Sequence, residues 1–293
     1  MSSDVAKRPL SDNESPEPGP DPASQFLPPP VTEQPCIEPR SSWSRLKGYL
    51  MKDVDPEQST LPLACYCFMT GYIDVITFSA IFVWSGFQTG NTIQLALAVA
   101  RICWGPPSRE TSFRIPDKQA LMSLCSFLGG AFLGRAGDRI GAKTRLWLCA
   151  GTVIQAIFTA AAAISVWKSG QKSISVGRGD LTWTNAAGFL AMGFASASLG
   201  LQGIMGKRLN TQLATTVVLT SVWCELMVEP DLFHIYRPVR SRDLKLLAIL
   251  ALFLGGFLGR GILEQIGAAG AFGVAAGLRM IIAINWVFIP AKN

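Results

Sequence analysis

From residue 61 onward the sequence is a succession of apolar segments too long and too frequent for the core of a water-soluble domain. They run from Leu61 to Trp84, Thr89 to Trp104, Gln119 to Leu133, Leu146 to Trp167, Thr184 to Met205, Gln212 to Met227, Leu244 to Leu263 and Ile266 to Ile289. A helix needs about 20 apolar residues, and at least about 17, to cross a bilayer. The first, fourth, fifth, seventh and eighth segments meet that length, and the third lies at its limit. The second and sixth are short and polar, so each is expected to be a broken or re-entrant helix. Only 16% of the residues are charged, against about 25% in soluble domains, which excludes an ordinary soluble enzyme. The expected fold is all-α: a polytopic transmembrane helix bundle of six to eight spans with a two-fold internal repeat and a disordered N-terminal tail.

The tail stands apart in composition. Residues 1–40 hold ten of the eighteen prolines, with seven acidic side chains against three basic ones. Such a stretch buries too little apolar area to offset chain entropy, so residues 1–42 are expected to be a disordered cytoplasmic tail. Residues 43–60 read as a juxtamembrane segment, 61–168 as a first transmembrane half, 169–183 as a loop and 184–290 as a second half. Of the net charge of +6, the tail contributes −4, so the remainder carries +10. In short membrane loops that excess reports topology and contact with lipid headgroups, and it places both termini in the cytoplasm. The basic residues are not interleaved with exposed aromatics, so membrane lipid is an expected partner and nucleic acid is not. Trp84, Trp104, Trp147, Trp167, Trp183 and Trp286 fall near segment ends, where amphipathic rings favour the interface. The seven cysteines and the single His234 form no metal-binding pattern, and no cofactor is expected.

The third and seventh segments share a glycine pattern. Phe127-Leu128-Gly129-Gly130-Ala131-Phe132-Leu133-Gly134-Arg135 aligns with Phe253-Leu254-Gly255-Gly256-Phe257-Leu258-Gly259-Arg260 after one inserted residue. Upstream, Gly71-Tyr72-Ile73-Asp74 and Leu199-Gly200-Leu201-Gln202 occupy similar positions. Two like halves are a common build for transporters, parallel with four spans each or inverted with three. Spaced glycines at 130/134, 255/259 and 273/277 are expected to let helices approach closely.

Few polar residues lie at membrane depth. Asp74 falls within the first segment, where a carboxylate is costly unless paired, hydrogen-bonded or neutral. It is a candidate proton relay or a structural acid. Gln88, Thr89, Gly90, Asn91 and Thr92 open the second segment. Free amides at a helix start can hold an anion or carboxylate, which gives a half-helix substrate site or simple capping. Gln202, Thr215, Thr216 and Thr220 are the second-half counterparts. Arg279 lies mid-way along the eighth segment and needs a partner, for which Asp74, Glu225 and Glu264 are candidates.

The run Gly71-Tyr72-Ile73-Asp74-Val75-Ile76-Thr77-Phe78, followed by Gln88-Thr89-Gly90-Asn91-Thr92-Ile93, resembles the YoaK-type transmembrane family of unknown function, with bacterial and fungal members. The second-half match is Gly200-Leu201-Gln202, then Thr215-Thr216 and Thr220-Ser221; Ser221 and Gly203 depart from the family pattern. The resemblance covers about residues 60–290. It implies a multi-pass membrane protein and no assigned activity.

No nucleotide loop, zinc-protease motif or nucleophile elbow occurs, which weighs against an enzyme. The leading expectation is a small-solute transporter or permease with a polar site between two halves, leaning toward a small anion or carboxylate. A non-transporting scaffold and an intramembrane lipid-modifying enzyme using Asp74 and Glu225 are the alternatives.

Overall fold

Apolar side chains on every face let a helix meet lipid on one side and protein on the other, and the long segments are helical throughout. The computed structural model describes residues 42–105, 112–234 and 236–292. The proline-rich tail lies outside the described residues. The helices are α1 (Ser42–Leu50), α2 (Thr60–Ile81), α3 (Gln88–Trp104), α4 (Ile115–Gly134), α5 (Gly137–Ile140), α6 (Arg145–Ser169), α7 (Ala186–Leu209), α8 (Thr220–Met227) and α9 (Arg240–Phe288). Among the described residues the architecture is all-α, with two isolated bridges and no strand. Five helical stretches are long and apolar enough to cross a membrane: α2, α4 with α5, α6, α7 and α9. The chain is an integral membrane protein.

α9 has 49 residues and would be ~74 Å long if straight, more than twice the hydrocarbon thickness. It breaks at Gly267, whose φ of 71° and ψ of 175° lie in a region essentially reserved for glycine. Ser173 Oγ accepts the Ala268 amide at 2.9 Å and caps the second leg. Both legs end on one face. Arg240, at the start, bonds Glu57, and the Pro290 carbonyl, just past the end, accepts from the Asp55 amide.

The bundle thus makes six crossings. Contacts at the two faces fix their alternation. On one face Asp53 bridges Thr144, Val54 bridges Ala291, and Arg208 pairs with Asp138. This is the basic face, with Arg139, Lys143, Arg145, Lys207, Arg208, Arg237 and Arg240 at or near it. On the opposite face Ser175 and Thr182 donate to the Ala80 carbonyl, and Gln119 donates to that of Thr182.

The short helices α3 and α8 do not cross. After α2 the chain turns through Phe82 (φ 56°) and runs inward over residues 83–87. α3 then leads back out to the face where Arg101 pairs with Asp117 of α4. After α7 it turns through Asn210 (φ 53°) and runs inward again. α8 returns it to the basic face, where Glu229 pairs with Lys245. Non-helical backbone at membrane depth survives only inside protein. Val83, Ser85, Leu213, Val217 and Leu219 are accordingly at most 3% exposed. The second and sixth segments are both re-entrant.

Two helix pairs cross with their backbones in contact. A Cβ on Gly71 would overlap the Leu252 carbonyl oxygen, and one on Gly200 would overlap that of Phe127. Reciprocally, a Cβ on Gly255 would overlap the Phe68 carbonyl and one on Gly130 that of Ala197. One turn on, a Gly259 Cβ would stand 2.9 Å from Val75 Cγ1, and a Gly134 Cβ 2.8 Å from Ile204 Cγ2. Only glycine permits this approach. These matched contacts run without a gap, so the one-residue insertion expected in the glycine run is not needed, and Asp74 falls opposite Gly203 rather than Gln202. Gly273 and Gly277 are exposed, with nothing within 4 Å of either Cβ, and do not pack as expected. Trp104 and Trp167 are exposed near the ends, but Trp183 and Trp286 are fully buried. Trp286 Nε1 donates to Tyr66 Oη at 3.2 Å, satisfying its N–H inside the bundle.

Candidate functional site

Tyr66, Thr70 and Asp74 are four residues apart on α2 and so share one face of it. All three are buried, at most 2% exposed. Each meets a different part of the interior, and together they connect two polar clusters, one around each re-entrant segment.

The first cluster surrounds Asp74. Its Oδ1 accepts the backbone amides of Ser85 and Gly86, both at 2.7 Å. Its Oδ2 has no hydrogen-bond partner. The carboxylate therefore fills the amide-lined turn ahead of α3, the position the sequence offered to an outside anion. Ser85 Oγ donates to Thr77 Oγ1 at 3.1 Å. Asn91 is fully buried; its Nδ2 reaches the Trp84 carbonyl at 2.7 Å, and Gln88 Oε1 and Ser123 Oγ at 3.0 Å each. Gln88 Nε2 donates to the Ser85 carbonyl at 2.7 Å and to Ser123 Oγ at 3.0 Å. Ser123 also meets Ser196 of α7 at 2.9 Å.

The second cluster surrounds Thr70 and Gln202. Gln202 Nε2 donates to the Tyr66 carbonyl and to Thr70 Oγ1, both at 2.9 Å. Thr70 Oγ1 donates to the carbonyl of Thr216 in the second re-entrant segment at 2.9 Å. Gln202 Oε1 and Thr216 Oγ1 are buried without partners. Tyr66 Oη meets Thr152 Oγ1 at 2.6 Å. One turn further along α6, Gln155 contacts the guanidinium of Arg279.

The two re-entrant segments meet beside Asp74. A Cβ on Gly86 would lie 2.9 Å from Asp74 Oδ2 and 3.3 Å from both Leu199 Cδ1 and Val217 Cγ1. At the basic face a cavity of about 450 Å³ opens over the second segment, lined by Glu57, Thr211, Gln212, Arg240 and Lys292. Leu63 and Leu213 also line it, and both are at most 3% exposed. One turn below Leu63 on α2 lies Tyr66. At the opposite face a pocket of about 60 Å³, lined in part by Phe82, Gln94, Gln119 and Arg178, sits over the first segment.

Asp74, Gln88, Gly90 and Asn91 belong to the first cluster and Gln202 and Thr216 to the second. Thr89, Thr92 and Thr220 are exposed, and Thr92 Oγ1 bonds back to the Gln88 carbonyl. Thr215 is half-buried. The anticipated charge pair is not formed. Asp74 is engaged by amides, Arg279 by Gln155 and Ser198, and Glu225 is exposed on α8. Glu264 pairs with Arg260. Opposite charge identified candidates, but lateral position in the bundle decides pairing. Ser85, Ser123, Ser196, Ser198 and Gln155 are not legible in the sequence, since single hydroxyls and amides in apolar segments carry no signal of direction. The spacing of Tyr66, Thr70 and Asp74 was the one available sign of an inward polar stripe.

A family model described as "Protein of unknown function (DUF1275)" matches residues 63–285, a stretch that contains both clusters. No curated protein and no solved structure matches the chain.

Proposed function

The chain belongs to the DUF1275 family of proteins of unknown function, and from that premise we propose that it is a permease for a small solute, bound between its two re-entrant segments. The YoaK-type likeness of the Gly71–Asp74 and Gln88–Thr92 motifs is taken as the same relationship. One observation carries the reading: two discontinuous helices enter the bundle from opposite faces and meet at Asp74, with unpartnered polar atoms on both sides. Discontinuous helices paired at the midplane are how many transporters bring polar groups to membrane depth while keeping the lipid-facing backbone helical. The gap-free correspondence of the two glycine crossings supports a duplicated, inverted chain of three crossings per half. The Lys and Arg excess on the basic face supports placing that face, and both termini, in the cytoplasm.

On this reading the wide cavity is the cytoplasmic vestibule and the Leu63–Leu213 pair separates it from the polar stripe. The test is osmotic swelling of liposomes containing the full chain, screened against small organic acids, inorganic anions, amino acids and sugars. At least one class is expected to enter, with uptake lowered about tenfold or more by Asp74→Asn and by Asn91→Ala. Equal uptake by both variants would remove the assignment of the site, and swelling no faster than that of empty liposomes for every class would remove the permease.

A further inference from the structure

Arg279 is a cation without an acid. It lies in the middle of the second leg of α9 and is fully buried. Nη1 meets Gln155 Oε1, Nη2 meets Ser198 Oγ at 3.3 Å, and Nε has no partner. Among the described residues no ion pair includes it. A guanidinium presents five N–H donors, and neutral acceptors here meet two of its three nitrogens. Holding a charge at that depth costs several kcal/mol unless an opposite charge or a full set of hydrogen bonds offsets it.

Arg145 is the contrast. It is also buried, yet its nitrogens reach the carbonyls of Ile289 and Tyr49, and its guanidinium stacks 4.2 Å from the Tyr49 ring centroid. All three of its nitrogens are bonded, and it ties α6 to the end of the chain. Arg145 is satisfied at all three nitrogens without an acid; Arg279, also without an acid, is not. The carboxylate that might have neutralised it, Asp74, is instead held by the amides of Ser85 and Gly86.

We infer that Arg279, with Ser198 and Gln155, binds a small anion inside the bundle, of the size of a halide, nitrate or formate. Ser198 and Gln155 are both fully buried, which limits the ligand to a few heavy atoms. The anion makes its charged contact at Nε, while Ser198 Oγ, which donates to the Ala195 carbonyl at 2.7 Å and accepts from Nη2, holds the guanidinium in place. This names the substrate class for the permease reading and rests on that reading only for the anion's passage across the membrane.

The test uses the full chain in detergent. Thermal unfolding is followed while sodium chloride, nitrate or formate replaces sodium gluconate at constant ionic strength. At least one of the three is expected to raise Tm saturably, by about 5 °C at a hundredfold excess over its Kd. Arg279→Gln is expected to be flat in every salt and no less stable than wild type in gluconate. Ser198→Ala should raise the half-saturating concentration severalfold. Gln155→Glu supplies an internal carboxylate, and it should raise Tm in gluconate and abolish the anion response; it keeps the inference testable if Arg279→Gln fails to fold. A wild type flat in all three anions overturns the inference, as does a full response retained by Arg279→Gln or by Gln155→Glu. Anion binding without liposome uptake leaves this site standing and removes the permease. Uptake of a neutral solute with no anion response does the reverse.

Discussion

Asp74 uses one oxygen on two amides and none on a cation, and that division decides how its variants should behave. Asparagine keeps an acceptor for Ser85 and Gly86, whereas leucine leaves both amides buried and unpaired, at about 1–3 kcal/mol each. Asp74→Leu is therefore expected to unfold at clearly lower temperature than Asp74→Asn in detergent, and the reverse order would mean that the amide contacts do not support the first re-entrant turn. A second acid acts at the surface. The Lys245 ammonium, and after it the Ser241 hydroxyl, hold the Glu229 carboxyl below the usual carboxylate range. A lowered acid adds stability above its ordinary value, near about 4.3 for glutamate, and loses it as pH falls through the lowered one. Glu229→Gln should thus lose stability relative to wild type at pH 7, and the two should converge as pH falls through the lowered value. A Tm difference that stays constant across that range would remove the ionised contact between Glu229 and α9.

At the scale of helices, the two glycine crossings hold the first and second halves together, and they should fail alike. A methyl on Gly71 or Gly200 would enter a carbonyl oxygen of the facing helix, and backbone cannot yield as a side chain can. Gly71→Ala and Gly200→Ala are each expected to cost about 1–3 kcal/mol. Gly129, beside the crossing glycine but with nothing within 4 Å of its Cβ, should accept alanine with no loss or a gain of about 0.5–1 kcal/mol. Thermal unfolding of the three variants checks this, and equal losses in all three would show that helix propensity rather than the crossing is being measured. Much at this scale was legible in the sequence. The apolar runs beginning at Leu61, Leu146 and Thr184 became α2, α6 and α7 with ends shifted by at most four residues, because hydrophobic length alone sets a membrane helix. The sixth apolar segment begins at Gln212, yet its helix starts only at Thr220. Buried non-helical backbone and buried helix look the same in composition. The amides that hold Asp74 were invisible for a related reason: Ser85 and Gly86 donate through the main chain, so their side chains give no sign of it.

For the whole molecule the question is how often the chain crosses, since that sets whether the repeat proposed for its two glycine crossings is inverted or parallel. Charge counting alone left six and eight spans open. The end contacts select six, because α9 starts beside Glu57 and ends beside Asp55 while its middle reaches Ser173. With six crossings, α2 and α7 run in opposite directions, and the loops that follow them open on opposite faces. Val176, 96% exposed in the loop after α6, then lies across the membrane from Lys52, exposed ahead of α2, with α2, α4 and α6 crossing between them. Single cysteines at these two sites, in a background with Cys36, Cys103, Cys125 and Cys224 replaced by serine, should be labelled by an impermeant thiol reagent from opposite sides of sealed vesicles. Of the replaced residues, Cys103, Cys125 and Cys224 are exposed and would otherwise compete. The Lys52 site should react from the side that carries Lys207, Arg208 and Arg240, and only after permeabilisation of right-side-out vesicles if that side is cytoplasmic. Labelling of both from the same side would require α3 to cross after all. That would expose to lipid the non-helical backbone at 83–87, which has no water there to satisfy it.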